Sequence, residues 1–303
     1  MTKTDLFFLK YNALLVIIVS VVYNMTLEHL IKHGYSSSSV LLYRGILTFL
    51  LTVVLSLKGG ERIIPNKISG QALRILLSGI GLLMIFQSYK YLEASTVFMV
   101  ARLDIPFTLL LGYLLKKHQL DFKVWLSALA LLLVLSIFFY AKHIGEGAFG
   151  LALVITAELL IACCYLLIKK ATHNENNFVI VNTTNIGCIT VGLLSGLFFG
   201  NLNQFHLADL WIFAIASVSQ FLLNYIASIL YRHSNVERVQ RPYLVAALVI
   251  LVVEQLWHGR LFDLHHSLII ILVVSVIYLI TLKELSFKIK WSNKNLEPNE
   301  TTN

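Results

Sequence analysis

The sequence predicts an all-α membrane protein of ten transmembrane helices, arranged as two inverted five-helix repeats with the N- and C-termini cytoplasmic. Three observations predict it: the composition, the sidedness of the basic residues, and an internal repeat. The 303 residues are 57% apolar and only 13% charged, with a mean hydropathy of +0.77. A soluble chain carries about 25% charged residues. No soluble core could hide this much apolar sequence, so lipid must serve as the apolar phase. The net charge of +8 is then a matter of where Lys and Arg sit, and no nucleic-acid partner is expected.

A spanning helix needs about 20 mostly apolar residues. Such runs occupy 11–31, 38–57, 71–91, 94–115, 122–141, 148–168, 178–200, 209–231, 236–257 and 267–283. The first is not a cleavable signal peptide: no small-residue cleavage site follows, and Asn24, Glu28 and His29 interrupt its far end. Only Tyr91-Leu92-Glu93 separates the third from the fourth, which predicts a tight hairpin. The fourth carries Arg102, Asp104 and Pro106 within five residues. The fifth and tenth are almost wholly apolar and read as peripheral, facing lipid or the second protomer of a homodimer. The sixth holds Glu158 at its midpoint, and the seventh a glycine row, Gly192, Gly196 and Gly200, which permits close packing. The eighth repeats Gln220, Asn224 and Ser228 every four residues, as the first repeats Ser20, Asn24 and Glu28. The ninth contains Pro242, preceded by Arg238 and Arg241 at its start.

Sidedness follows from the 24 Lys and Arg. With the N-terminus inside, eighteen fall at inner ends and loops, Arg74 among them, and four outside: Lys32, Lys90, Lys142 and Arg260. Arg44 and Arg102 stay within spans. That bias demands both termini inside and an even number of spans. The repeat appears as "EHLIKHG" against "YLLIKKA" and "SYKYLEAS" against "LYRHSNVE", in the same order at nearly the same offset. Five spans is an odd number, so the second half is inserted upside down, a plan common among secondary transporters. The units are 1–143, 144–283 and a polar cytoplasmic tail, 284–303.

The passages "YKYLEASTVFMVARLDIPFTLLLGYLL" and "SVLLYRGILTFLLTVVLSL" resemble the third-to-fourth hairpin and the second helix of the drug/metabolite transporter superfamily, EamA-like branch. The resemblance implies a ten-helix carrier working by alternating access, with export as the default direction.

The residues that would carry function are those a span can least tolerate. A mid-span charge costs about 2.5–3.5 kcal/mol on insertion scales. Arg102, Asp104 and Glu158 therefore point to a central polar site, with Arg44, Asn24, Glu28, Gln220 and Asn224 as its further candidates. Pro106 is expected to kink the fourth helix so that Arg102 and Asp104 turn toward one cavity. Pro242 lies in the repeat-equivalent helix, and paired breaks of this kind mark transporter sites. Arg44 and Arg102 would hold a carboxylate or phosphate; Asp104 and Glu158 would hold an amine or a coupling proton. The expected partner is a small polar metabolite, zwitterionic or anionic, moved by a secondary transporter. The alternative is uptake or exchange of a larger charged metabolite such as a nucleotide derivative; a lipid flippase or structural membrane protein is a third reading. No enzyme is expected, because no loop carries a nucleophile, base or ligand cluster. The cysteines Cys163, Cys164 and Cys188 lie in apolar runs without metal-ligand spacing, so no metal is expected. No phosphate-binding GxxxxGK[ST] motif occurs, and no cofactor is expected. Both termini inside suit a bacterial inner membrane.

Overall fold

The computed structural model describes residues 3–66, 69–114, 146–171, 175–233 and 236–257. These residues form nine α-helices, with no strand among them. They are α1 (Lys3–Lys32), α2 (Ser37–Gly59), α3 (Ser69–Ser88), α4 (Ala94–Val100), α5 (Asp104–Leu114), α6 (Glu146–Ala171), α7 (Asn177–Phe199), α8 (Leu210–His233) and α9 (Val236–Trp257). Eight of the expected spans coincide with helices. The other two, 122–141 and 267–283, and the tail lie outside the described residues.

Among the described residues, six helices are long and apolar enough to cross a membrane: α1, α2, α3, α6, α7 and α8. The protein is thus a multi-pass membrane protein by length and composition. The expected fourth and ninth spans are helical but have shorter apolar stretches, Ala94–Leu103 and Val245–Trp257. The fourth carries Arg102 and Asp104, and the sequence of α9 opens on Glu237, Arg238, Gln240 and Arg241.

Helix limits follow from capping. Ser36 Oγ accepts from the Ser39 amide at 3.1 Å, and Asn176 Oδ1 accepts from the Val179 amide at 2.8 Å, each supplying an acceptor to a helix start that lacks one. α2 and α7 end on Gly60 and Gly200, both left-handed, a conformation that costs glycine little.

The helices pack α2 on α7 and α8, α3 on α6 and α7, α1 on α8 and α9, α4 on α9, and α5 on α6. The tightest approach joins α3 to α7. A Cβ on Gly187 would stand 2.2 Å from the Ile75 carbonyl oxygen, and one on Gly79 would stand 2.5 Å from the Gly187 oxygen. The α7 glycine row performs three tasks rather than one. Gly192 admits the α2 backbone at Leu42, Gly196 makes room for the Leu202 side chain, and Gly200 is the helix stop.

Polar ties gather the loops at two ends. At the end the charge bias assigns to the outside, the Tyr35 hydroxyl donates to Asp209 at 2.7 Å. Asn203 there accepts from the Ser36 amide at 2.5 Å and donates its own amide to Ser39 Oγ at 2.7 Å. At the inner end, Glu175 accepts from the Asn66 amide at 2.8 Å and pairs with Arg62 at 3.8 Å. The Glu175 carbonyl also receives Arg232 at 2.8 Å. Asn182 donates to the Ile63 carbonyl at 3.0 Å.

Candidate functional site

A cavity of about 180 Å³ lies at the centre of the bundle. α1 contributes Ser20, Tyr23 and Asn24; α3 contributes Arg74, Ser78, Phe86 and Tyr89. The fourth segment adds Phe98 and Arg102, α6 adds Glu158, Cys164 and Tyr165, α8 adds Gln220 and Asn224, and α9 adds Tyr243. Along α3 the lining runs from Arg74 to Tyr89, roughly 22 Å at 1.5 Å per residue, so the cavity follows the bundle axis.

Glu158 is 2% exposed and faces this space. Among the described residues its carboxylate has no hydrogen bond or ion pair. A buried charge without a partner is costly, and here the carboxylate faces a cavity that Arg102 also lines. The Ser20 hydroxyl and the Asn224 amide nitrogen are also without hydrogen-bond partners and also line it. Asn24 is held by its neighbours instead: Nδ2 donates to the Ser20 carbonyl at 2.7 Å, and Oδ1 accepts from the Tyr89 hydroxyl at 2.6 Å.

Arg102 lines the cavity while Asp104 does not. The expected kink at Pro106 is replaced by a 3-10 turn, Ala101–Leu103, between α4 and α5. Position 106 falls in the first turn of α5, where a missing N–H costs little. The turn also explains the pairing. In an α-helix, residues two apart point about 160° apart; at three residues per turn the angle falls to about 120°. Arg102 Nη1 accordingly reaches Asp104 Oδ2 at 3.9 Å, and Nε donates to the Phe98 carbonyl at 3.3 Å. The guanidinium lies over the rings of Phe98 and Tyr243, at 4.5 and 5.3 Å. Tyr243 follows Pro242, which is buried within α9. The segment broken by the 3-10 turn and the proline-bearing α9 therefore meet at the cavity.

Besides Asp104, two further expected members of the site lie elsewhere. Arg44 is fully buried but does not line the cavity. Nη1 donates to Tyr23 at 2.5 Å and Gln220 at 2.6 Å, and Nη2 donates to Cys188 Sγ at 3.0 Å. It stands behind two lining residues and fixes them. Glu28 pairs with Lys32 at 2.5 Å and borders a separate apolar groove with Trp211 and Trp257. One helical turn beyond Asn24, it has passed out of the central cavity and become an outer-end ion pair.

Sequence reasoning missed Arg74 and Glu254. Arg74 counted as an inner-end loop charge, yet it is 1% exposed and lines the cavity. The signal was its position inside the run 71–91, three residues past the start. Glu254, buried on α9, accepts from the amides of Ala94 at 3.0 Å and Ser95 at 2.9 Å. It satisfies the N-terminus of α4, whose own Glu93 supplies no side-chain cap. No local sequence pattern announces a cap contributed from 160 residues away. Among the described residues, no group of His, Cys, Asp or Glu is placed to hold a metal.

No protein-family model matches the chain, and no curated protein matches it. Solved structures do. One crystal structure of a protein superposes with a TM-score of 0.66 over 89% of this chain and 96% of that one, at 13% identity. The likeness is one of fold.

Proposed function

We propose that the protein is a secondary transporter of the EamA-like kind, a carrier and not an enzyme, moving a small polar metabolite by alternating access. The observation that carries the reading is the cavity. Glu158, Arg102 and Arg74 face one space between the helices with the amides of Asn24 and Asn224, and all but Arg102 do so from helices otherwise apolar enough to span. Ionisable groups at such depth mark substrate or ion pathways.

The packing supports ten spans in two inverted halves. Exchanging α1 with α6, α2 with α7, α3 with α8 and α4 with α9 maps the contacts onto themselves. α3 on α6 answers α8 on α1, α3 on α7 answers α8 on α2, and the pairs α2–α7 and α4–α9 map to themselves. A pseudo-two-fold axis in the membrane plane has this consequence. The chain path agrees with it. α4, the 3-10 turn and α5 run from the outer-end loop for about 31 Å. Yet Gly150, near the start of α6, lies beside Tyr91 and Leu92 of that same loop. The described residues on either side of 115–145 thus stand at opposite ends of the bundle, which supports the expected fifth span.

The cavity has about the volume of six liquid waters, which favours a small metabolite over a nucleotide derivative. Glu158 is the candidate for a coupling proton or a substrate amine. Export is the direction the family resemblance implies, and a bacterial inner membrane is the setting that two cytoplasmic termini suit.

The test is counterflow in proteoliposomes loaded with a panel of radiolabelled amino and carboxylic acids. The wild type should exchange at least one, and Glu158→Gln should abolish that exchange without lowering the melting temperature. A folded Glu158→Gln protein that transports like wild type would refute the carrier as drawn. It would favour a lipid flippase or a structural membrane protein, which has no need of that carboxylate.

A further inference from the structure

Resting on the carrier reading, we infer that Arg74, not Arg102 or Arg44, is the anion anchor of the cavity, and that it selects a carboxylic acid whose polar far end is carried to Glu158. The three buried arginines differ in what occupies them. Arg44 is out of the cavity and taken by Tyr23, Gln220 and Cys188. Arg102 lines the cavity but is paired with Asp104. Arg74 lines the cavity with no acidic partner among the described residues. Its Nε donates to Gln71 at 2.8 Å, Nη1 to Thr184 at 3.4 Å, and Nη2 to the Ile180 carbonyl at 3.2 Å.

Those three bonds define what is left. A guanidinium carries five N–H donors. One on Nε and one on each Nη are used, so one remains on each Nη. Thr184 Oγ1 and the Ile180 carbonyl oxygen lie 3.2 Å apart and take the end-on fork, so the two donors left point apart and each can meet a carboxylate oxygen singly. All three present acceptors are neutral, so the buried cation is solvated but uncompensated. A carboxylate arriving in the cavity would supply the missing charge.

Geometry then sets the length of the ligand. Cys164 Sγ lies 3.7 Å from the Arg74 carbonyl oxygen, which puts Cys164 of α6 level with Arg74 of α3. Glu158 is six residues nearer the outer end of α6, about 9 Å along the axis. Neither side chain closes that gap. Arg74 reaches toward Gln71 and Ile180, both at inner helix starts. The Glu158 Cβ leans toward the N-terminus of its own helix, which is the outer end. The adjacent ammonium and carboxylate of an α-amino acid are too close together to touch both. A ligand that does so has an acid and an amine at opposite ends of a short chain.

The probe is therefore a series of ω-amino acids, glycine, 4-aminobutanoate and 6-aminohexanoate, with hexylamine lacking the acid. Binding to the purified full-length protein is measured by calorimetry. 6-Aminohexanoate is expected to bind at least ten-fold more tightly than glycine or hexylamine. Arg74→Gln should weaken it by roughly ten- to hundred-fold, down to the level of hexylamine, and leave hexylamine unchanged. Arg74→Lys, which keeps the charge but loses the fork, should fall between. It also serves if the glutamine variant does not fold. Glycine binding as tightly as 6-aminohexanoate would overturn the proposal, as would Arg74→Gln or Arg74→Lys with undiminished 6-aminohexanoate affinity. If no member binds, the ligand class is wrong. In all these cases the carrier reading stands or falls separately, on counterflow by wild type against Glu158→Gln.

Discussion

At the scale of single residues, Arg44, Arg74 and Arg102 are all buried and are told apart by their partners and by whether they line the cavity. Arg102 and Asp104 form the described ion pair deepest in the fold. Breaking a buried pair from one side typically costs about 3–5 kcal/mol, because the other charge stays behind. Arg102→Gln should therefore lower the unfolding midpoint in detergent sharply, and adding Asp104→Asn should restore most of it. If the double variant is no more stable than the single, the two charges are not a coupled pair. Arg44→Gln should also cost stability, since Tyr23, Gln220 and Cys188 lose their common donor. Here ligand affinity would drop only as far as Tyr23 and Gln220 lose their positions. Arg102, Glu158, Asn24, Gln220 and Asn224 were legible at this scale because each is a polar interruption of an apolar run. Glu28 shows the limit of that logic. A four-residue stripe marks a face, and it does not mark where along the face a cavity ends.

At the scale of helices, the two unusual devices are the backbone contact between α3 and α7 and the borrowed cap of α4. Gly187→Ala must push Cβ against the Ile75 carbonyl, and rigid backbone yields less readily than a side chain. Overpacking of this kind costs about 1–3 kcal/mol. Gly59→Ala, where a new Cβ would meet Glu61 at an ordinary 3.6 Å, should be close to neutral. Equal losses at the two sites would contradict the packing described. Glu254→Ala removes the acceptor for two buried amides, worth about 1–3 kcal/mol each when left unsatisfied. Its melting temperature should fall further than that of Glu61→Ala, on an exposed loop. Helix limits at this scale have local causes in Ser36, Asn176, Gly60 and Gly200. The 3-10 turn was not legible in advance. Pro106 drew attention to the correct segment, but the turn precedes it, at Ala101–Leu103, where no residue type announces a break.

At the scale of the whole molecule, the loops tied together by Asn203 and by Glu175 define two opposite faces. Single cysteines replacing Asn201 or His206, both exposed, should react with an impermeant thiol reagent applied to intact cells. A cysteine replacing Glu61, also exposed, should react only after permeabilisation. The reverse pattern would invert the orientation that the Lys and Arg bias assigns. The sidedness count is a sum over many loops, so counting the buried Arg74 among its inner-end charges barely moves it. A site has no such redundancy, and moving one residue from loop to cavity changes its chemistry.

The contact of Gly79 with Gly187 has a consequence for how the protein breathes. Two backbones that touch without side chains between them cannot slide in small steps, since any shift lifts carbonyl onto carbonyl. The pair α3–α7, tied on to α2, should behave as a spine, and opening should fall to the broken segment α4–α5 and the α9 helix packed on it. Deuterium uptake reads this directly. Amides of α7 around Gly187 should exchange only on global unfolding, while those of Ala101–Leu103 should exchange through cheaper local openings. A ligand that closes the protein should slow the second group and leave the first unchanged.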